Sequence, residues 1–327
     1  MDATPQPKSS QDPYAGAVRV DELDYDLPEE LIAQRPAARR DEARLLVFRR
    51  ESGEIEHRSV RDLPDLLPAR STVVVNDTKV VPARIPIASP KGEVLLLERM
   101  TGDEWIGLAR PTRRLKPGMT YGAVTLHEHL GDGRWRLSLA GEPDGETPLP
   151  PYITAPLLDK TRYETVFARE PGSAAAPTAG LHFTPELLAH LTVEHVTLHV
   201  GLDTFRPVQV DDLADHVIHG ERYEIDASTW ERIRAAERVL AVGTTSVRTL
   251  ETVASGGALS GRTNLFITPG FSFRRVDLLL TNFHLPRSTL LALVMAFAGV
   301  DETRELYRIA VAERYRFYSF GDAMLLL

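Results

Sequence analysis

The sequence predicts an α/β protein: a layered or barrel-like α/β main domain with a small all-β barrel inserted into it. Three observations lead there. Strand and helix patterns alternate before and after residues 85–151, hairpin-spaced strand patterns without a helical period fill that interval, and the apolar strand Val73–Asn76 precedes the interval while its counterparts follow it. A chain of 327 residues has room for about two domains with ample core. The expected division is a discontinuous main domain of residues 21–84 and 152–327, a β-barrel of residues 85–151, and a disordered extension of residues 1–20. That extension is polar and carries Pro5, Pro7 and Pro13.

Within the β module the strand candidates are Glu93–Arg99, Glu104–Arg110, Ala123–Leu130 and Arg134–Ala140. Turn signals separate them at Thr101-Gly102-Asp103, Lys116-Pro117-Gly118 and Gly131-Asp132-Gly133, and Pro148, Pro150 and Pro151 mark the exit. In the main domain, Val73–Asn76, Val193–Val200, Val239–Val242, Thr263–Thr268 and Leu278–Thr281 read as strands. Helices are expected at Pro185–Leu191 behind the cap Thr184, at Thr229–Arg238 behind Ser228 or Asp226, at Ser246–Ala254, at Thr289–Ala298 behind Ser288, and at Glu302–Tyr315.

Composition removes several chemistries. There is no cysteine, which excludes thiolate nucleophiles, Cys-ligated zinc, iron–sulfur clusters and disulfides together, and is compatible with a cytoplasmic location. The net charge of −8 does not advertise nucleic-acid binding by the surface as a whole. Only five of the 38 basic residues are lysines, so the cations are arginines suited to bidentate phosphate or carboxylate contacts. Two basic segments stand out: Arg35, Arg39, Arg40, Arg44, Arg49 and Arg50 outnumber Asp41 and Glu42, and Arg110, Arg113, Arg114 and Lys116 face no acid. Such runs suit a solvated surface or an RNA backbone. The most apolar run, Leu290 to Val300, is about half the ~20 residues of a membrane-spanning helix and reads as a buried helix. No export signal is seen, and no long apolar edge or heptad pattern calls for a partner copy, so the expected state is a cytoplasmic monomer.

The chain contains no G-x-G-x-x-G after a strand, no P-loop and no H-E-x-x-H helix. It offers histidines and hydroxyls at strand and helix ends instead. His182 lies in Ala176-Pro177-Thr178-Ala179-Gly180-Leu181-His182, ahead of a capped helix; a hydrogen-bonded core histidine fits that context as well. On the strand Val193–Gly201, His195, Thr197, His199 and Gly201 share one face, and the turn beyond carries Asp203 and Arg206. Gly243-Thr244-Thr245-Ser246 followed by Arg248 places backbone amides and hydroxyls at a helix start, a cradle for a carboxylate, phosphate or ribose. Asn282 and His284 alternate with Phe283 and would face one side. A metal site at His195 and His199 is disfavoured, because positions four apart on a strand stand about 13 Å from one another.

Taken together, these segments resemble the S-adenosylmethionine:tRNA ribosyltransferase-isomerase family of queuosine biosynthesis. The resemblance runs from Asp24-Tyr25-Asp26-Leu27-Pro28 through Val75-Asn76-Asp77-Thr78-Lys79, Pro177-Thr178-Ala179-Gly180-Leu181-His182, His199-Val200-Gly201, Val242-Gly243-Thr244-Thr245-Ser246-Val247-Arg248 and Thr281-Asn282-Phe283-His284 to Tyr315-Arg316-Phe317-Tyr318-Ser319-Phe320-Gly321-Asp322. The stretch His216 to Glu221 fits more loosely.

The resemblance implies an enzyme that transfers and isomerises the ribosyl part of S-adenosylmethionine onto a 7-aminomethyl-7-deazaguanine at the tRNA wobble position. Epoxyqueuosine-tRNA forms, and adenine and methionine are released. S-adenosylmethionine is then a consumed co-substrate, with no metal or redox cofactor, and the sulfonium acidifies the neighbouring 5′ carbon. Laid over the matched motifs, side-chain chemistry makes His182 or His284 the base or leaving-group acid and lets Asp77, Asp203 or Asp322 balance the sulfonium. Thr178, Gly180, Gly243, Thr244, Thr245, Ser246, Arg248, Asn282 and Arg206 would bind S-adenosylmethionine, while Asn76 and Asn282 could read a base edge. Arg35, Arg84, Arg110, Arg113 and Arg114 would contact tRNA phosphates. A non-catalytic RNA-binding protein and a metal-dependent hydrolase are the alternatives; neither predicts adenine production from S-adenosylmethionine.

Overall fold

Alternating burial along the apolar strands builds a sheet covered on both faces. The computed structural model describes residues 19–88, 91–131, 133–201, 208–218 and 220–327. In chain order the strands are β1 (Arg44–Arg49), β2 (Glu54–Ser59), β3 (Ser71–Asn76), β4 (Thr78–Val80), β5 (Arg84–Ile87), β6 (Gly92–Arg99), β7 (Glu104–Arg110), β8 (Thr120–Tyr121), β9 (Val124–Gly131), β10 (Arg134–Leu139), β11 (Glu170–Ser173), β12 (Thr192–Leu198), β13 (Glu221–Glu224), β14 (Arg238–Val242), β15 (Ser260–Thr263), β16 (Leu278–Asn282) and β17 (Ala323–Leu326). The helices are α1 (Leu63–Leu66), α2 (Pro185–Leu188), α3 (Ala227–Ala235), α4 (Gly243–Ala254), α5 (Thr289–Ala298) and α6 (Val300–Ala312).

Among the described residues, nine strands form one mixed sheet in the order β15-β13-β12-β3-β14-β16-β17-β1-β2. Its middle is a block of four parallel neighbours, β12, β3, β14 and β16. Antiparallel β17 follows, parallel in turn to β1. Residues alternate between two cores, as the strand period of two requires. Val74, Val196, Ala241, Leu279, Met324 and Leu46 face the cluster that includes side chains from α3 to α6, whereas Val73, Val75, Leu240, Leu280, Leu325 and Leu45 face Phe167, Phe183 and Leu187.

A second sheet, antiparallel and in the order β5-β6-β7-β10-β9-β8, leaves the chain between β4 and β11 and carries its own core around Trp105, Leu126, Trp135 and Leu137. At its root β4 and β11 pair in parallel.

Caps act where the sequence places them. Asp226 accepts from Ser228 and Thr229 to open α3, and Ser288 accepts from Leu291 to open α5. α4 begins directly on Gly243, whose φ of +83° permits the sharp exit from β14, and it has no side-chain cap.

Four expectations are corrected, three of them helix ends. Helix α3 stops at Ala235, short of Arg238, and α6 at Ala312, short of Tyr315. The strand expected at Thr263–Thr268 is instead Ser260–Thr263, an exposed edge paired to β13, and the apolar residues Leu265 and Phe266 beyond it pack against the core. The helix after Pro185 stops at Leu188, short of Leu191. The β1–β2 hairpin and β17 lie in segments for which no strand was expected, although β17 is an interior strand between β16 and β1.

Leu325 is fully buried between β16 and β1. Leu325→Ala is expected to lower unfolding stability by about 2–5 kcal/mol in urea titration while the far-UV circular dichroism of the folded state is retained.

Candidate active site

The carboxyl ends of the four parallel strands leave the sheet together, and the loops they feed are those bearing the predicted polar residues: Asn76 to Thr78 after β3, His199 to Gly201 after β12, Gly243 to Ser246 after β14, and Asn282 to Leu285 after β16. Two cavities open around them. The smaller, about 50 Å³, is lined by Thr178, Ala179, Gly243, Thr244, Thr245, Asn282 and His284 among others. The larger, about 630 Å³, lies between the main sheet and the inserted β module. Leu290 contributes to both walls.

In the smaller cavity the sequence motifs do meet, but several side chains are already engaged. Asn282 donates through Nδ2 to the carbonyls of Tyr318 at 2.9 Å and Ser319 at 3.3 Å, which turns its Oδ1 toward His182 Nε2 at 2.9 Å. The proton of that bond therefore sits on His182 Nε2. Burial pushes the His182 imidazole toward its neutral form, and its ring also borders a separate crevice with Arg40, Arg162 and Arg316. His182 is thus a holder of Asn282 rather than a group facing the smaller cavity, and Asn282 has both amide hydrogens committed. His284 does line the cavity. Its Nε2 is 2.8 Å from Thr281 Oγ1, and burial pushes its pKa down to about 3, so at neutral pH it is the neutral imidazole and not an imidazolium acid. Ser246 Oγ donates back to the Val242 carbonyl at 2.8 Å, and a Cβ on Gly180 would strike Phe167 and Thr165, which marks that glycine as a packing position. By contrast, Thr245 Oγ1 is buried with no hydrogen-bond partner among the described residues, beside the uncapped start of α4. A helix amide end with a spare hydroxyl is built to take an anionic or hydroxyl-bearing group.

The larger cavity has one wall from the β module, with Leu97, Glu98, Arg99, Trp105 and Arg134, and one from the main sheet, with Gly172, His199, Gly201, Glu221, Arg222 and Arg248. Its volume lies in the range that encloses nucleoside-sized ligands, whereas the smaller cavity has room only for a small group. Arg262 of β15 pairs with Glu98 of β6 and ties the two walls together. Arg248, expected to hold an anion, is spent internally: its Nη1 pairs with Glu221 Oε2, Nε donates to the Leu265 carbonyl at 3.0 Å and Nη2 to the Thr263 carbonyl at 3.1 Å. Glu221 Oε1 in turn accepts from the Gly201 amide at 2.9 Å.

Asp77 is not at either cavity. Its carboxylate accepts from Arg169 Nη2 at 2.6 Å and Thr197 Oγ1 at 2.7 Å, locking the end of β3 to β12. Asp322 likewise accepts from the Arg44 and Arg316 amides. Asn76 is consumed by Leu198 and Thr78. Asp203 and Arg206 lie outside the described residues. None of Arg35, Arg84, Arg110, Arg113 and Arg114 lines the larger cavity, whose cations are Arg99, Arg134, Arg222, Arg248 and Arg262. Arg110, Arg113 and Arg114 sit exposed at the end of β7 and the turn after it, Arg35 is exposed, and Arg84 pairs with Glu93. Sequence reasoning placed no role on His199, Glu221 or the β-module wall. The alternation that put His199 on the polar face of β12 was the available signal; nothing in the sequence brought the β module opposite it.

The ion pair is buried at both ends. Glu221→Ala is expected to cost about 3–5 kcal/mol of thermal stability by stranding Arg248, and adding Arg248→Met is expected to recover most of it. The pH dependence has a definite sign. His284 binds a proton far less readily folded than unfolded, so its contribution to stability is complete above pH 6.5 and is lost as pH falls toward about 3. The urea midpoint of the wild type should therefore drop more steeply on acidification through that window than that of His284→Gln.

The comparisons agree with this architecture. The family model described as "Queuosine biosynthesis protein" matches residues 20–326. An S-adenosylmethionine:tRNA ribosyltransferase-isomerase of Rubrobacter xylanophilus is 52% identical, over 95% of this chain and 98% of the relative. One of Moorella thermoacetica is 49% identical, over 95% and 100%. The crystal structure of S-adenosylmethionine tRNA ribosyltransferase from Thermotoga maritima superposes with a TM-score of 0.56 at 38% identity, covering 94% of this chain and 100% of that one. Matched by the family model over nearly its whole length and half identical to relatives from end to end, the chain belongs to the queuosine biosynthesis protein family.

Proposed function

We propose that the protein transfers the ribosyl moiety of S-adenosylmethionine to the aminomethyl group of a 7-deazaguanine at the tRNA wobble position and isomerises it, giving epoxyqueuosine-tRNA, adenine and methionine. The observation that carries the function is the identity of about half, over 95% of the chain, with relatives that bear this activity in their names, together with a family match over residues 20–326. The geometry supports it. A cavity of about 630 Å³ suits a nucleoside and an incoming base together. The methionyl carboxylate belongs at the start of α4, where Thr245 Oγ1 has a hydrogen bond to give. S-adenosylmethionine is consumed as co-substrate, and its own positive sulfur supplies the driving force that a metal or redox cofactor supplies elsewhere.

In this reading Arg110, Arg113 and Arg114, with Arg35 and Arg84, contact phosphates of the anticodon stem, and the exposure of Arg35, Arg110, Arg113 and Arg114 supports it. His182 and His284 then serve as neutral positioning groups. No helix among the described residues is long and apolar enough to cross a membrane. The proposed setting is the cytoplasm, with the chain acting as a monomer.

Incubation with S-adenosylmethionine and tRNA carrying the aminomethyl precursor is expected to release adenine and to add the epoxycyclopentane mass to the nucleoside, undiminished by exhaustive chelation. RNA binding without adenine release would instead identify a non-catalytic binder. Thr245→Val should raise the KM for S-adenosylmethionine by about tenfold, the value of one lost hydrogen bond to a charged group, with a smaller effect on kcat.

A further inference from the structure

Resting on that function, we infer that His199 is the base that takes the proton from the carbon next to the sulfonium, with Thr78 and Gly172 fixing its ring. Among the described residues, the larger cavity holds five side chains able to accept a proton: Glu98, Glu142, Glu221, His199 and His216. The three carboxylates are each held by an arginine, Glu98 by Arg262, Glu142 by Arg99 and Glu221 by Arg248. His216 stands on a connecting turn with its ring edge-on to Phe266. Of the two histidines, His199 directly follows β12 and is held against the main sheet.

The fixing comes from three directions. The His199 amide donates to the Arg222 carbonyl at 2.9 Å, continuing the pairing of β12 with β13. Its Nδ1 is 2.8 Å from Oγ1 of Thr78, a fully buried residue whose hydroxyl also lies 3.5 Å from the Glu170 carbonyl. A carbonyl only accepts, so when the Thr78 proton turns to it, Nδ1 is the donor to Thr78 and the lone pair is on Nε2. Nε2 has no hydrogen-bond partner among the described residues. Finally, the ring lies against bare backbone. A Cβ built on Gly172 would meet all of Cε1, Nδ1 and Nε2 at 2.9–3.1 Å, and the φ of +148° there is one that L residues rarely adopt. Burial and, among the described residues, Arg222 favour the neutral form of the imidazole, while Asp77, shared with Arg169, opposes them. A neutral imidazole on the cavity wall is the state a base requires.

The step balances. The C–H bond of the methylene between ribose and sulfur breaks, its electron pair stays on carbon beside the positive sulfur, and the proton passes to Nε2 to give an imidazolium. When the glycosidic bond breaks with its electrons on nitrogen, the imidazolium returns the proton to the departing adenine, and neutral His199 is restored.

The test uses full-length protein, S-adenosylmethionine and precursor tRNA, with the wild type run alongside. A wild type that releases no adenine defeats the proposed function itself. Given an active wild type, His199→Gln is expected to slow single-turnover adenine release by about 10²–10⁴-fold while binding S-adenosylmethionine within about threefold, and free imidazole is expected to restore part of the rate to His199→Gly. Gly172→Ala should lose rate in the same way. Thr78→Val, which keeps the shape but not the hydrogen bond, should displace the acidic limb of the pH–rate profile, a change that a purely structural residue would not produce. Activity of folded His199→Gln within about fivefold of wild type would overturn the assignment, as would loss confined to His216→Gln. Should His199→Gln fail to fold, an unmoved acidic limb in Thr78→Val would overturn it as well.

Discussion

The site depends on the direction of four strands. β12, β3, β14 and β16 are neighbours and parallel, so their carboxyl ends reach the same edge of the sheet and four loops far apart in sequence emerge side by side. That arrangement is maintained by burial on both faces. Val73 and Val75 sit in one core while Val74 sits in the other, and a slip of one residue in any strand would exchange them. The loops are placed by the register of the strands more than by contacts of their own.

Much of the polar machinery first visible in the sequence is occupied in keeping that edge rigid. Asp77 locks β3 to β12, Asn76 bonds across to Leu198, Asp322 gathers the amides of Arg44 and Arg316, and His182 orients Asn282. A buried polar group without partners is costly, so each of these is satisfied. Against that background the exceptions carry the functional weight. Thr245 Oγ1 is buried and unsatisfied, and His199 Nε2 has no partner among the described residues. Of the buried side chains without a partner among the described residues, Thr245 is the one that lines the smaller cavity, while others such as Tyr163, Thr165 and His195 lie away from both cavities.

The inserted β module completes the larger cavity. Its own core makes it a folded unit, but the wall it offers is built from Trp105, Arg99 and Arg134 on β7, β6 and β10, held to the main domain by the Arg262–Glu98 pair. An ion pair half open to solvent is a weak tie.

By itself the sequence determined the local elements that obey short-range rules. β7 and α5 run over the residues expected, because an alternating strand between turn signals and an apolar helix behind a serine cap need no distant partner to be recognised. It also marked the motifs at strand ends and, through their order, the family resemblance. Tertiary structure alone decided which polar residues were free. Whether Arg248 meets a ligand or Glu221, whether Asp77 meets a sulfonium or Arg169, and whether His199 looks at solvent or at the β module depend on partners up to about a hundred residues away. The physical reason is that a polar side chain bonds to whatever the fold brings within about 3 Å, and that distance is set by sheet order and packing, which no local pattern encodes.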